Sequence, residues 1–175
     1  MRLNLKRTPG VYLVGFMGSG KSSVGRVLAY EVGWKFVDVD EEIERQEGLS
    51  IPSLFEQPGE AAFRAIESRV LKQLVKLVQS GRPHVISLGG GAFLSEEHFE
   101  LVRHNGVSVW LDCPLETIER RVGSSDHRPL ARDPKRMREL FEARRPGYAR
   151  ADYRIEIDSD DPAVTARKIS ELPLF

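Results

Sequence analysis

The chain has 175 residues, of which 41% are hydrophobic and 30% are charged. Its 26 basic residues equal its 26 acidic residues, so no general electrostatic attraction to nucleic acid or to an anionic membrane is expected. The length predicts a single domain, residues 1–175, that is large enough to bury a substantial core.

Short apolar segments alternate along the chain with longer segments of helical periodicity. The apolar segments, flanked by Gly, Pro or Asp, predict buried strands at 10–15, 34–39, 84–89, 107–112 and 153–158. The periodic segments predict helices at 22–32, 59–81, 114–122 and 133–145. This alternation predicts an α/β fold with an open parallel sheet and helices on both of its faces. Ligands bind at the carboxyl ends of strands in such folds, so the residues after each strand are the candidates for function.

The first predicted strand is followed by GFMGSGKSS, Gly15 to Ser23, which has the spacing of a phosphate-binding loop. Glycine allows the tight path that turns backbone N–H groups towards a phosphate, and the helix that begins there adds its positive end. Lys21 is expected to reach the β- and γ-phosphates, and Ser22 to coordinate Mg²⁺. A chance glycine-rich turn is the alternative, but the strand before and the helix after favour the phosphate loop. The predicted ATP-binding residues here are Gly18, Ser19, Gly20, Lys21, Ser22 and Ser23.

The second predicted strand ends in FVDVDEEIE, where Asp38 and Asp40 lie two residues apart, on the same side of an extended segment. Near bound Mg·ATP, one carboxylate can hold water on the metal or accept a hydroxyl proton, and the other can bind a polyol. The alternative is that Asp40 only caps the following helix, and the sequence leaves both interpretations open.

Three glycines, Gly89, Gly90 and Gly91, directly follow the third predicted strand. Their lack of side chains allows chain and ligand to approach each other closely. A turn without a ligand is the alternative, and the position at the carboxyl end of a strand favours ligand contact.

Arginines stand in two of the predicted helices. Arg64 has Glu67 on the same helical face, and the pair Arg144 and Arg145 precedes a proline at a helix end. Guanidinium groups bind carboxylates through two parallel hydrogen bonds, so arginines that face the site would select an anion. Together with Asp40, which favours hydroxyl groups, they predict a kinase for a small hydroxylated acid.

The segment 123–134, GSSDHRPLARDP, joins two predicted helices without a strand of its own. It is polar, basic and interrupted by two prolines. Mobile lids over nucleotide sites have this composition, and so do ordinary surface loops. Composition alone favours the surface loop.

In their order along the chain, these motifs resemble those of the shikimate kinase family. The resemblance extends from Val11 to about Asp161 and is carried by GFMGSGKSSVGRVLA, FVDVDEEIE, GLSIPSLFEQPGEAAFRAIE, GGGA, RPLA and RRPGYARAD. Many nucleotide-binding proteins share the first motif, whereas the combination of DVDEEIE, the GE..FR..E helix and the three glycines is far more specific. The resemblance implies a P-loop three-layer sandwich, with a five-stranded parallel sheet of order 2-3-1-4-5, helices on both faces and a mobile lid at about 123–134.

The resemblance also implies a reaction, in which ATP and shikimate give ADP and shikimate 3-phosphate. Lys21 would steady the transferred phosphoryl group, Asp38 would lie near the metal and the acceptor hydroxyl, and Arg128 would close over ATP with the lid. The implied ligands of Mg²⁺ are Ser22 and Asp38. The residues implied to flank the adenine are Arg121 and, in the loop DSDDP, Pro162.

The implied shikimate site lies in a substrate-binding region at about 38–67 and in two later segments. Asp40 would hold the hydroxyl groups of shikimate, and Arg64 and Arg144 would bind its carboxylate. The implied contacts at the glycine run are Gly89, Gly90 and Gly91, with the backbone of Gly90 facing the substrate.

The chain departs from the family pattern at three places. Ser23 replaces the usual threonine after GKS and keeps the hydroxyl. The lid motif reads RPLA instead of RPLL, which removes an apolar side chain and is expected to loosen closure. Gly147 replaces the leucine of R-x-P-L-Y, and the stretch after Tyr148 is one residue short. The register therefore selects Arg144 as the substrate arginine but leaves Arg145 open.

Three other functions are compatible with parts of this pattern. A kinase for another hydroxy acid such as gluconate would share the fold, but DVDEEIE and the GE..FR..E helix favour shikimate. A nucleoside-monophosphate kinase needs a place for a base in its acceptor pocket. A catalytically silent nucleotide-binding module would be expected to lack Lys21, Asp38 or Arg128, and all three are present, which predicts an active enzyme.

The remaining expectations concern the compartment and the assembly. No apolar run is long enough to cross a bilayer, and the first ten residues lack the apolar core of a signal peptide. The only cysteine, Cys113, excludes an internal disulfide and suits a reducing compartment. We therefore expect a cytoplasmic monomer that acts on ATP and a small molecule, with no membrane or nucleic-acid partner.

Overall fold

The computed structural model describes residues 10–123 and 132–174, and its centre is a parallel sheet. Five strands lie in the order β2-β3-β1-β4-β5, and each neighbouring pair is parallel. The strands are β1 (Gly10–Val14), β2 (Lys35–Asp38), β3 (His84–Ser87), β4 (Val107–Asp112) and β5 (Tyr153–Glu156). The predicted α/β class and strand order are therefore confirmed.

The described ranges contain eight α-helices and one short 3-10 helix; all lie between strands except the last α-helix, which follows β5. They are α1 (Lys21–Val32), α2 (Val39–Glu47), α3 (Ile51–Glu56), α4 (Glu60–Gln79), α5 (Glu96–Asn105), α6 (Leu115–Gly123), α7 (Pro134–Tyr148) and α8 (Pro162–Ser170), with the 3-10 helix at Ala92–Leu94. Helices α3, α5 and α8 are absent from the predicted segments. Helix α3 has only six residues and gives little periodic signal, whereas α5 and α8 are at least as long as α6, which is predicted, and the sequence interpretation misses them. Within these ranges, no helix combines the length and the apolar character needed to traverse a lipid bilayer.

The strand order places helices on both faces of the sheet. The chain runs from β1 outwards to β2 and then back to β3, so these two crossovers run in opposite directions across the sheet. Because parallel crossovers are right-handed, α1 lies on one face and α4 on the other. Helix α1 follows β1 and helix α4 follows β2 in the chain, so both begin near the carboxyl ends of the strands. Their N-terminal parts therefore lie at the same edge of the sheet, the one formed by these carboxyl ends.

The core of the sheet lies in its three central strands. Every residue of β1 and β3 is buried, and β4 is buried except at its first residue. The prediction of buried strands is wrong at the two edges, since β2 is partly exposed and exposed residues alternate with half-buried ones along β5. An edge strand has only one neighbour, so part of it meets solvent. The loops of the site follow the rigid central strands β1 and β3 and the edge strand β2.

Aspartate side chains fix the start of several helices. The Asp38 carboxylate accepts a hydrogen bond from the backbone N–H of Glu41 at 3.1 Å and so caps α2. The prediction that Asp38 and Asp40 extend together from a strand is therefore wrong, as is the alternative that Asp40 is the cap. Strand β2 ends at Asp38, and Asp40 lies in the first turn of α2 because the helix begins directly after its cap.

Candidate active site

The phosphate loop connects β1 to α1 across residues 15–20. Gly18 and Gly20 have φ angles of 74° and 95°, a conformation that favours glycine. A Cβ on Gly18 would also lie 2.9 Å from a methyl carbon of Val122, so packing against α6 excludes a side chain there. Gly20 is the N-cap of α1, and its carbonyl accepts a hydrogen bond from Val24 N at 2.9 Å. The loop therefore presents the positive end of α1 at the carboxyl edge of the sheet.

Polar groups of the protein hold the loop's two functional side chains. Nζ of Lys21 donates hydrogen bonds to the carbonyl oxygens of Gly15, at 2.8 Å, and Phe16, at 3.0 Å. Oγ of Ser22 donates a hydrogen bond to Oδ2 of Asp38. The amine and the hydroxyl–carboxylate pair thus lie together at the start of α1, where the sequence predicts phosphate and Mg²⁺.

These residues fit a nucleotide phosphate with Mg²⁺. Oγ of Ser19 is buried inside the loop without a hydrogen-bond partner among the described residues, which is rare unless a ligand or water completes the site. Ser22 and Asp38 offer the oxygen donors that Mg²⁺ prefers. Residues 10–123 and 132–174 contain no group of three His, Cys, Asp or Glu side chains able to hold a metal, so phosphate oxygens and water would complete its coordination. Ser23 is exposed in the first turn of α1.

Asp40 is a carboxyl group with a strongly perturbed pKa. Burial raises the pKa of Asp40 to about 6, because desolvation disfavours the charged form. The carboxylates of Asp38 and Glu67 raise this pKa further, and Lys21 opposes them. A carboxylate with such a pKa is ionised at neutral pH and is a better proton acceptor than an ordinary aspartate.

Glu67 and two aromatic rings hold the guanidinium of Arg64 in place on α4, and the exposed Glu60 lies 3.8 Å from its Nη2. Its Nη1 donates to Oε1 of Glu67 at 2.9 Å, and the Glu67 side chain is only 2% exposed. The guanidinium carbon also lies 5.7 Å and 5.3 Å from the ring centroids of Phe55 and Phe63. The expected pairing of Arg64 with Glu67 is present, and the 37% exposure of the Arg64 side chain leaves room for an anion.

The side chains predicted to bind the substrate converge on the glycine run Gly89–Gly91. The polar side chain nearest to the point where a Cβ would stand is Asp40 at Gly89, at 2.9 Å, Arg144 at Gly90, at 3.1 Å, and Arg64 at Gly91, at 2.9 Å. The carboxylate of Glu67 also lies 3.3 Å from that point on Gly89. A Cβ on Gly90 would also lie 3.7 Å from the backbone nitrogen of Met17 in the phosphate loop. The structure thus brings the carboxylates of Asp40 and Glu67 together with two guanidinium groups beside the phosphate loop.

The adjacent arginines near the end of α7 have different partners. Arg145 forms two hydrogen bonds with Asp112, from Nη1 at 2.7 Å and from Nη2 at 3.2 Å. Arg144 lies against Gly90 instead, and its guanidinium carbon is 5.8 Å from the ring centroid of Phe16. The structure therefore places Arg144, and not Arg145, at the glycine run.

The predicted adenine side adjoins the phosphate loop through Arg121. Its Nη1 donates to the carbonyl oxygen of Gly18 at 3.1 Å, and its Nη2 lies 2.9 Å from Oδ1 of Asp160. Pro162 follows shortly after Asp160, in the first turn of α8. Arg128 lies outside the described residues, as do residues 124–131 of the predicted lid.

Two residues of this region have no role in the sequence prediction. Tyr148 donates a hydrogen bond to the carbonyl of Gly90, and burial raises the pKa of Tyr148 to about 12 against the opposing effect of Arg144. Asp112 is the last residue of β4 and binds Arg145. The rule that selects Asp38, a carboxylate at the carboxyl end of a strand, could have selected Asp112. Tyr148 is the tyrosine of the R-x-P-L-Y pattern, but that pattern alone does not predict a hydrogen bond to the glycine run.

Comparison with known proteins identifies the family that has this arrangement. The profile described as "Shikimate kinase" matches residues 17–172. The chain is 43% identical over 153 residues to the shikimate kinase of Persephonella marina (87% of this chain, 91% of the relative) and 46% identical over 153 residues to that of Ruegeria pomeroyi (86% and 76%). The solved structure "Shikimate kinase from Acinetobacter baumannii in complex with shikimate" has a TM-score of 0.86 and 38% identity, covering 95% of this chain and 93% of that chain. From these matches, which cover most of its length, the chain belongs to the shikimate kinase family.

Proposed function

We propose that this chain transfers the γ-phosphoryl group of ATP to the 3-hydroxyl of shikimate, giving ADP and shikimate 3-phosphate. Membership of the family makes it an ATP-dependent kinase. The observation that carries the choice of acceptor is the convergence of Asp40, Arg64 and Arg144 on the glycine run beside the phosphate loop. A carboxylate and two guanidinium groups complement an acceptor that has hydroxyl groups and one carboxylate. The solved relative from Acinetobacter baumannii, which holds shikimate, supports the same choice.

The acceptor carboxylate would bind between Arg64 and Arg144. Charged hydrogen bonds from guanidinium to carboxylate are short and strong, and their fork geometry orients the bound group. Glu67 and the rings of Phe55 and Phe63 already hold Arg64, so little side-chain freedom is lost when the acid binds. These two arginines would fix the position of the acceptor relative to the phosphate loop.

The hydroxyl groups of the acceptor would bind Asp40. With a pKa of about 6, this carboxylate is ionised at neutral pH and can accept a hydrogen bond from the attacking hydroxyl. It is also suited to take the hydroxyl proton at a side-chain oxygen as the bond to phosphorus forms. Asp38, which binds Ser22 at rest, would act on the nucleotide side of the same reaction.

At the nucleotide end, Lys21 would exchange its contacts with the Gly15 and Phe16 carbonyls for the phosphate oxygens of ATP. Ser22 and Asp38 would hold Mg²⁺, which when bound neutralises charge on those oxygens. Arg121 and Pro162 would flank the adenine. Arg128 would close over ATP and stabilise the charge that develops during transfer.

The test is ADP release by the purified chain in three parallel reactions, with shikimate, with gluconate and with no acceptor. We expect release with shikimate alone, and we expect EDTA to abolish it. A Lys21→Met variant is the control for contaminating kinases, since it removes the amine expected to contact the transferred phosphoryl group. Release with gluconate instead would overturn the substrate, and nucleotide binding without release for any acceptor would favour a silent module.

We also propose that the enzyme acts as a monomer in the cytoplasm. The charged faces of the helices support this assembly state, because charged residues are depleted at the centres of protein interfaces. Light scattering of the purified chain at micromolar concentration tests it, and a mass of twice the 19.8 kDa of one chain would contradict the monomer.

A further inference from the structure

An ion-pair cluster joins α7 to the carboxyl end of β4 and to the neighbouring strand β5, outside the set of residues proposed to bind ligands. Its centre is Asp112, whose side chain is only 8% exposed. Arg145 of α7 donates two hydrogen bonds to this carboxylate, and Nε of Arg154 on β5 donates a third at 2.8 Å. A buried carboxylate requires such partners, because an unpaired charge in that position is costly.

Aromatic rings hold the guanidinium of Arg145 from other directions. Its central carbon lies 5.0 Å from the ring centroid of Trp110 and 5.3 Å from that of Phe141. The planar group is thus tied by its edge to Asp112 and bounded by two rings. Arg145 is therefore a fixed point near the end of α7.

Arg144 is the preceding residue of the same helix, and consecutive helical residues point about 100° apart around the axis. Whatever fixes the rotation of this turn at Arg145 also fixes the direction in which Arg144 leaves the helix. Tyr148, one turn later, donates to the carbonyl of Gly90, the glycine that Arg144 approaches. The last turn of α7 is thus tied to β4 on one side and to the glycine run on the other.

We infer that Asp112 is a positioning residue for acceptor binding, which acts through Arg145 to orient Arg144 over Gly90. The inference rests on the proposed function, in which Arg144 binds the acceptor carboxylate. Asp112 would not contact the acceptor itself. Its loss is therefore expected to weaken binding of the acid and to leave binding of the nucleotide unchanged.

A second arginine–carboxylate pair near the end of α7 provides matched controls. Arg150, two residues beyond the helix, binds Glu96 of α5 through hydrogen bonds of 2.8 Å and 3.0 Å and lies over the ring of Phe99. This pair has the same chemistry as Arg145 with Asp112, but its carboxylate is 68% exposed. Among the described residues, no side-chain hydrogen bond or ion pair joins this pair to Arg144 or to the glycine run. Glu96→Gln thus matches Asp112→Asn, and Arg150→Ala matches Arg145→Ala.

The experiment measures dissociation constants for shikimate and for a non-hydrolysable ATP analogue by calorimetry on the full chain. We expect Asp112→Asn and Arg145→Ala to weaken shikimate binding about tenfold, since a small misplacement of a binding group is enough for such a loss. Nucleotide binding should change by less than about twofold, and so should both constants in the two control variants. Arg145→Lys, which keeps the charge but loses the bidentate geometry, should fall between Arg145→Ala and the unaltered chain.

A double variant distinguishes positioning from a general loss of stability. If Asp112 acts through Arg144, Asp112→Asn should cost no further shikimate affinity once Arg144→Ala is present. An additive loss in the double variant, or equal losses in the Glu96 and Arg150 controls, would overturn the inference. Should Asp112→Asn not fold, the Arg145 variants give the same comparison. An unaltered chain that neither binds nor phosphorylates shikimate would overturn the proposed function instead.

Discussion

The nucleotide end and the acceptor end of the proposed site are built in different ways. The nucleotide end comes mainly from one continuous stretch, residues 15–23, in which glycine conformations and a helix start form the binding surface. The acceptor end is assembled from distant segments, and charged side chains form most of it. Its members are Asp40, Arg64, Arg144 and the glycine run Gly89–Gly91.

The resting partners of the charged groups differ in the same way. Lys21 binds backbone carbonyls and Ser22 binds Asp38, and an incoming phosphate or metal ion can replace both contacts. Arg64, in contrast, is paired with the buried Glu67, which no ligand is expected to displace. The nucleotide end is therefore expected to rearrange when its ligand binds, whereas the acceptor end is already organised to bind an acid.

Asp38→Asn should break the nucleotide end and leave the acceptor end intact. We expect kcat to fall about 10²–10³-fold, because a charge that acts mainly in the transition state is lost. Asparagine caps helices about as well as aspartate, so α2 and the position of Asp40 should persist. Steady-state kinetics with saturating shikimate and ATP measure the fall, and shikimate binding by calorimetry is the internal control. An unchanged kcat would remove Asp38 from the chemistry.

Arg64→Ala should break the acceptor end instead. We expect shikimate binding to weaken by about 2–5 kcal/mol, the usual cost of removing one partner of a buried charged contact, while nucleotide binding is kept. Arg69→Ala is the matched control, since Arg69 lies on the same helix and binds the partly exposed Glu47 away from the glycine run. Calorimetric titration with shikimate measures both variants. An unchanged dissociation constant for Arg64→Ala would show that the acid binds elsewhere.

The two ends also differ in how far the sequence predicts them. The phosphate loop is local, so its spacing predicts both its residues and the strand and helix that flank it. At the acceptor end, the choice between Arg144 and Arg145 depends on Asp112, which is 33 residues away from Arg145. The sequence alone does not show that one of two adjacent arginines has a buried partner so distant in the chain. The sequence likewise does not show which of the two aspartates caps α2, and this choice decides whether Asp40 lies in the strand or in the helix.

Gly91→Ala tests whether the glycine run sets the positions of the side chains that bind the acceptor. The added Cβ would lie 2.9 Å from Nη2 of Arg64, so the guanidinium must shift. We expect shikimate binding to weaken about tenfold, less than for loss of the whole side chain. In an Arg64→Ala background the methyl group meets no guanidinium, so the glycine substitution should then have no further effect. A full tenfold loss in that background would show that the methyl group obstructs the acid itself.

Ionisation of Asp40 in its buried position lowers the free energy of unfolding, because the folded protein binds the proton more tightly than the unfolded chain does. The surroundings raise the pKa of this carboxyl from 3.8 to about 6 in the folded state. Below pH 3.8 both folded and unfolded chains hold the proton, and no stability is lost. As the pH rises from 3.8 to 6, the unfolded chain ionises while the folded chain keeps its proton, so the free energy of unfolding falls. Above pH 6 the loss is complete and constant.

Asp40→Asn removes this ionisation and should stabilise the fold while it weakens acceptor binding. We expect the free energy of unfolding at pH 8 to rise by about 1–2 kcal/mol, less than the full pKa difference because the side chain is partly solvated. The gain should shrink as the pH approaches 4, and urea denaturation at both pH values measures it. Shikimate binding to the unaltered chain should strengthen as the pH rises towards about 6 and then level off, following the ionisation of Asp40. A gain in stability that did not depend on pH would assign the effect to the amide's packing, because only the ionised carboxylate carries the electrostatic cost that the acceptor end requires.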